Sequence, residues 1–204
     1  EQASHSGNSK VYRVRCQDGT ESAVKSYFQC TVGGLDRLEI EFSGLAFLWE
    51  NGIRCIPQPL KADRARQVAA YEFVDGREIV SSQVTADDIG QAVRFAEELK
   101  SLSTRPDSRH LPPASEACFS INSVIDNIEG RLRRLTALKE RGSTYDALSG
   151  FLSGEFAPAL AALKDWVVTK VGREGCLREL AQNERTLSPS DFGFHNALRR
   201  PNGE

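Results

Sequence analysis

The chain has 204 residues, 40% of them hydrophobic, and a formal net charge of −2. That is enough to bury a full core in one large domain or two small lobes, and the near balance of charge excludes a global field drawing it to nucleic acid or an anionic membrane. No apolar run approaches the ~20 residues of a membrane span and no secretory leader is visible. The five cysteines, Cys16, Cys30, Cys55, Cys118 and Cys176, are odd in number and form no C-x-x-C pair, so reduced thiols in a cytoplasmic setting are expected. The lack of methionine and the start EQASHSGN read as an excerpt or a processed chain.

The first quarter reads as strands followed by a helix. Alternation in KVYRVRC sets Tyr12, Val14 and Cys16 on one face, Asp18-Gly19 supplies a turn, and ESAVKSYF resumes the strand pattern, which makes a β-hairpin. After the Gly33-Gly34 break, Leu38, Glu41, Leu45 and Leu48 recur at steps of three and four, and Gly52 follows as a helix C-terminal glycine. YEFVDG is a short apolar strand ended by Asp75-Gly76.

A helical region follows. Thr85 is a helix N-cap with Asp88 three residues on, and Ile89, Ala92, Val93, Ala96 and Leu99 form one face. The proline-containing segment 103–116 is a linker. A longer helix over 121–141 carries Ile121, Ile125, Ile128, Leu132, Leu135 and Leu138 as a continuous stripe, and a third over 156–171 carries Phe156, Leu160, Leu163 and Val167. Trp49 and Trp166 fall within apolar helical patterns and are expected in the core. Arg131, Arg133, Arg134, Lys139 and Arg141 alternate with an apolar stripe and read as a solvated helix face rather than a phosphate or nucleic-acid site.

Several residues carry chemistry in combination. Glu41 shares a helical stripe with apolar residues and needs a partner there, because an unpaired inward carboxylate costs several kcal/mol. The candidate is Lys25, which lies on the same strand face as Ala23, an arrangement in which a flat base packs on the alanine while the ammonium reaches phosphates. Gly7, Asn8 and Ser9 occupy a strand-to-strand turn whose backbone N–H groups could cradle a phosphate. Far downstream, Asp191 and Asn196 are spaced as D-x-x-x-x-N.

In this order the pieces GNSKVYRV, DGTESAVK, RLEIEFSGLAFLWENGIRCIPQPL, YEFVDGREI and SPSDFGFHNAL resemble the aminoglycoside phosphotransferase-like family of small-molecule kinases, relatives of choline kinases. The resemblance covers nearly the whole chain. It implies an α+β, two-lobed protein-kinase-like fold, with a β-rich N-terminal nucleotide-binding lobe over 1–76 and a hinge near 71–77. A helical C-terminal lobe would occupy 77–204, with a catalytic loop at 188–198. It further implies ATP and Mg²⁺ as cofactors and a small-molecule hydroxyl as acceptor. Backbone groups near Glu72, Phe73 and Val74 would receive adenine, Asp191 would be the catalytic residue facing the acceptor hydroxyl, and Asn196 would hold magnesium.

Asp191-Phe192-Gly193 also spells the kinase metal motif. No D-x-x-x-x-N lies shortly before it, so the loop reading prevails, although Pro189 and Ser190 stand where the family more often has histidine and glycine. Within this loop His195 reads as a supporting or packed residue. Eight residues follow Asn196, none of them aspartate, so the lobe is expected to be truncated before a second metal-binding aspartate, with Asn202-Gly203 as a turn between two strands. Beside the phosphotransferase stand two other readings: a catalytically silent kinase-like module that binds a nucleotide or partner, and an unrelated α+β domain with chance matches.

Overall fold

The computed structural model describes residues 2–6, 9–28, 36–138, 142–189, 191–201 and 203. It divides into two units, residues 1–116 with 186–204 and residues 117–185.

In the first unit the strand patterns assemble an antiparallel sheet. β1 (Gln2–Ser6), β2 (Ser9–Arg15), β3 (Glu21–Tyr27), β4 (Pro59–Asp63) and β5 (Val68–Glu72) stand in the spatial order β1-β2-β3-β5-β4. The turn between β2 and β3 closes at Gly19, whose φ of 86° suits glycine, while the Asp18 carboxylate accepts from the Thr20 N–H at 2.9 Å. β4 and β5 form a hairpin, in which the Asp63 carboxylate takes the Arg66 N–H at 3.0 Å.

Helix α1 (Arg37–Glu50) packs its apolar side on this sheet. The Asp36 side chain caps its start by accepting from the Glu39 N–H at 3.0 Å. At its end Gly52 takes φ 91°, the Gly52 N–H reaches the Trp49 carbonyl and the Ile53 N–H reaches that of Leu48. This is a Schellman closure. Tyr27, Leu38, Ala69 and Tyr71 form the buried centre, with Ala23, Phe42, Leu45 and Ala62 against it. Leu38 is wholly buried, Trp49 is half-buried, and the Arg54 guanidinium lies 4.2 Å from the Trp49 ring centre.

The rest of this unit follows β5. β6 (Arg77–Glu78) pairs with β7 (Leu198–Arg199) as a separate two-stranded ribbon. Helix α2 (Ala86–Leu102) begins as expected, with a capping box between Thr85 and Asp88. Its apolar face differs from expectation: Leu99 is buried, but Ile89 and Val93 are exposed. The stripe is covered at its C-terminal end and open near its start. The linker is ordered by a 3₁₀ turn, Pro106–His110, where buried Ser108 donates to the carbonyls of Ser103 and Arg105.

The second unit holds α3 (Ile121–Thr136), α4 (Ser143–Phe151), a π-helical turn (Leu152–Phe156) and α5 (Ala157–Leu177). Gly172, at φ 78°, breaks α5 near its end. α3 packs along α5, where the Lys164 ammonium pairs with Glu129. α3 is shorter than its stripe, ending at Thr136, and the expected basic residues Lys139 and Arg141 lie outside the described residues. Arg131, Arg133 and Arg134 are exposed, as a solvated face requires. Trp166 corrects the sequence expectation: the residue is 58% exposed. α5 is apolar on several sides, so periodicity alone did not show which side would be covered.

Candidate functional site

Strand alternation puts Ala23, Lys25 and Tyr27 on the face of β3 that meets α1. The Lys25 ammonium donates to both oxygens of Glu41, at 2.9 and 2.7 Å. The side chains keep 24% and 35% of their exposure, so the pair is sheltered but reachable. Beneath it the hydroxyls of Tyr27 and Tyr71 lie 2.8 Å apart, and the Lys25 ammonium sits 5.0 Å from the Tyr27 ring centre. Burial first, and then the Glu41 charge, push both phenols far above their ordinary range. Glu39, two residues from Glu41, bonds instead to Arg64 at 2.6 Å.

Ala23 rests against the buried cluster, across from Arg13 on β2 and Tyr71 on β5. Ser9 opens β2, is buried, and pairs with Ser6 and Tyr27. Gly7 and Asn8 lie outside the described residues.

Glu72 ends β5. Its N–H donates to the Gln58 carbonyl at 2.8 Å, its carboxylate accepts from the Gln58 N–H at 3.1 Å, and Arg200 approaches the other oxygen at 3.3 Å. The Glu72 N–H is therefore engaged within the protein. Phe73 lies under the Arg13 guanidinium, 4.3 Å from its ring centre, and Val74 follows in irregular backbone.

The downstream loop brings Asp191, His195 and Asn196 together through a 3₁₀ turn, Phe194–Asn196. His195 Nε2 is 3.3 Å from Asp191 Oδ2, and the Asn196 amide nitrogen donates to the Asp191 carbonyl at 2.9 Å. The same amide nitrogen lies 3.2 Å from His195 Nε2. The contact with His195, followed by that with Asn196, holds the Asp191 carboxyl below the usual aspartate range. The Asp191 side chain is 80% exposed. Gly193 fits because a Cβ there would stand 2.7 Å from the His195 ring.

Sequence reasoning missed how this loop is tied down. Arg199 donates to Asp88 through Nε at 3.0 Å and Nη2 at 2.5 Å, and also to the Gln83 carbonyl at 3.0 Å. These bonds, with those from Thr85, hold the Asp88 carboxyl well below its ordinary range. Gly76 lets β7 approach, since a Cβ there would lie 2.9 Å from Leu198 Cβ and 3.1 Å from the Arg199 carbonyl oxygen. Asp88 and Arg199 are 111 positions apart, and no spacing rule joins them.

Among the described residues no group of three or more His, Cys, Asp and Glu side chains could hold a metal. Magnesium bound with a nucleotide needs less, because one or two protein oxygens complete a shell supplied mainly by phosphates and water. Asn196, whose amide oxygen accepts no hydrogen bond among the described residues, and the exposed Asp191 carboxylate are side chains of the chemistry such a shell takes. Among the same residues no helix is long and apolar enough to cross a membrane.

No family model matches the chain, and no curated protein matches it in sequence. Its fold is similar to that of a spectinomycin phosphotransferase solved with ADP and spectinomycin, with a TM-score of 0.52 over 97% of this chain and 57% of that one, at 15% identity. A Plasmodium vivax ethanolamine kinase is matched at TM-score 0.48 and 16% identity, over 83% of this chain and 45% of that one. A macrolide 2′-phosphotransferase from Brachybacterium faecium is matched at TM-score 0.37 and 18% identity, over 75% of this chain and 52% of that one. The chain spans about half the length of these three structures. The chain has an α+β fold similar to the kinase-like fold of the spectinomycin phosphotransferase.

Proposed function

We propose that the chain carries the nucleotide site and catalytic loop of an ATP-dependent phosphotransferase that moves the γ-phosphate to a hydroxyl of a small molecule. The observation that carries this reading is the two-bond Lys25–Glu41 pair, which holds an ammonium at the sheltered but open face of the sheet. A lysine so held presents a fixed positive charge to a phosphate without being free to swing into water. Residues 1–76 form the nucleotide lobe, 71–77 the hinge and 77–204 the helical lobe.

Each residue has a distinct task. Gly7, Asn8 and Ser9 cover the phosphates, Ala23 supports the base, and the backbone of Phe73 and Val74 donates to the adenine edge, since the Glu72 N–H is engaged by Gln58. Asp191, kept charged by its neighbours, orients the acceptor hydroxyl and takes its proton as the oxygen commits to phosphorus. Magnesium, when bound with the nucleotide, neutralises phosphate charge, and Asn196 supplies its oxygen ligand.

A second reading, a kinase-like module that binds a nucleotide or partner without turnover, draws on Pro189 and Ser190 at the loop start. Binding of ATP with and without Mg²⁺, followed by γ-phosphate transfer across a panel of hydroxyl acceptors, separates the two. Mg²⁺-dependent binding with transfer supports the enzyme, and binding without transfer to any acceptor supports the silent module. No nucleotide binding at all sinks both nucleotide readings. The acceptor is a small metabolite, a sugar or a choline-like alcohol among the candidates, and neither nucleic acid nor membrane is a partner.

A further inference from the structure

We propose that Asp88 and Arg199 are positioning residues that hold the Asp191–Asn196 loop in register, an assignment resting on the reading of Asn196 as a magnesium ligand. Arg199 stands three residues beyond Asn196, on the strand that leaves the loop. Its guanidinium makes a fork with the two Asp88 oxygens and a third bond to the Gln83 carbonyl. A fork of this kind fixes orientation as well as distance, which a lysine at the same place does not.

The other end of the fork is equally fixed. Asp88 sits in the first turn of α2, with its side chain 6% exposed, and one of its oxygens accepts both the Thr85 N–H at 2.7 Å and the Thr85 hydroxyl at 2.6 Å. A buried carboxylate with that many donors does not swing, and removing its cation would leave an uncompensated charge. The tie thus runs from a rigid helix start, through Arg199, to the strand that sets the height of Asn196. The next residue, just past β7, adds a second tie: Arg200 reaches Glu72 at the end of β5. Two successive arginines thus tie the chain after the loop to two separate elements, the start of α2 and the end of β5.

The role differs from general stability because its target is local. In the full chain, ADP binding is measured with and without Mg²⁺ for the parent, Arg199→Gln and Arg199→Lys, with amide hydrogen exchange followed over 191–199 and over β2 and β3. The expected result for Arg199→Gln is a loss of about tenfold or more in Mg²⁺-dependent ADP affinity. ADP affinity without Mg²⁺ should be unchanged, exchange should quicken only over 191–199, and Arg199→Lys should recover part of the loss. Unchanged exchange in the loop overturns the proposal, as does exchange that quickens equally in β2 and β3. Full Mg²⁺ dependence in Arg199→Gln also overturns it. If the parent shows no Mg²⁺-dependent ADP binding, the reading of Asn196 fails, and the exchange comparison alone decides whether Arg199 positions the loop.

Discussion

The hydroxyls of Tyr27 and Tyr71, on adjacent strands β3 and β5, meet at 2.8 Å inside the cluster that α1 covers. Each hydroxyl is a polar partner of the other, and that of Tyr27 also meets the Glu41 carboxylate. Replacing Tyr71 with Phe removes one side of the bond and leaves the Tyr27 hydroxyl buried, at a cost of about 1–2 kcal/mol. The double change Tyr27→Phe with Tyr71→Phe should cost less than the sum of the two, which a double-mutant cycle from denaturant melts measures. Both phenols are raised by burial, so they stay protonated when the unfolded chain ionises near pH ~10. Their contribution to stability is complete below that pH and is lost as pH rises beyond it. The parent should therefore lose stability above pH ~10 more steeply than the double variant.

The Lys25–Glu41 pair should matter more to ligand than to fold. With both side chains partly exposed, it stabilises the protein by less than about 1 kcal/mol. Glu41→Gln should leave the thermal midpoint nearly in place while weakening ATP binding, because the ammonium is no longer held toward the phosphates. A large drop in the midpoint with ATP affinity intact would make the pair structural.

Asp191 and Asn196 should separate under magnesium titration. Asp191→Asn should lower kcat strongly and leave ATP affinity nearly unchanged, since the hydroxyl loses its proton acceptor. Asn196→Ala should weaken Mg²⁺-dependent nucleotide binding and turnover together. A metal-binding defect confined to Asp191→Asn would assign Asp191 to the metal and sink the catalytic-loop reading.

Gly76→Ala tests the approach of β7. The new methyl would press on the Arg199 carbonyl oxygen at 3.1 Å and on Leu198 Cβ at 2.9 Å, and neither atom is the free end of a flexible chain. A loss of about 1–3 kcal/mol in denaturant melts is expected, as for overpacked sites generally. The variant should also quicken amide exchange around Leu198.

What the sequence disclosed was mostly local. The β2–β3 hairpin followed from alternation around Asp18-Gly19, the end of α1 from Gly52, and the start of α2 from Thr85 and Asp88, because each depends on neighbours a few positions away. The pairing of Glu41 rather than Glu39 with Lys25 also followed, since only Glu41 shares the apolar stripe. The β4–β5 hairpin escaped notice because Lys61 and Arg64 to Arg66 mask its alternation. α4 escaped because STYDALSG offers too few apolar positions for a period. Trp166 misled because an apolar pattern shows that a side can be buried, whereas its burial depends on which element packs there. The Arg199–Asp88 fork joins residues that only the folded chain brings together.

Glu39 and Glu41 are two positions apart on α1, and at 3.6 residues per turn they leave the helix in directions separated by ~200°. One is moored to Arg64 beside the β4–β5 turn and the other to Lys25 on β3. A cylinder moored on opposite sides cannot roll about its own axis without parting one line. The roll of α1 is what brings Glu41 to Lys25 or carries it away. The surface pair between Glu39 and Arg64 thereby lends its share to keeping the lysine's partner facing inward.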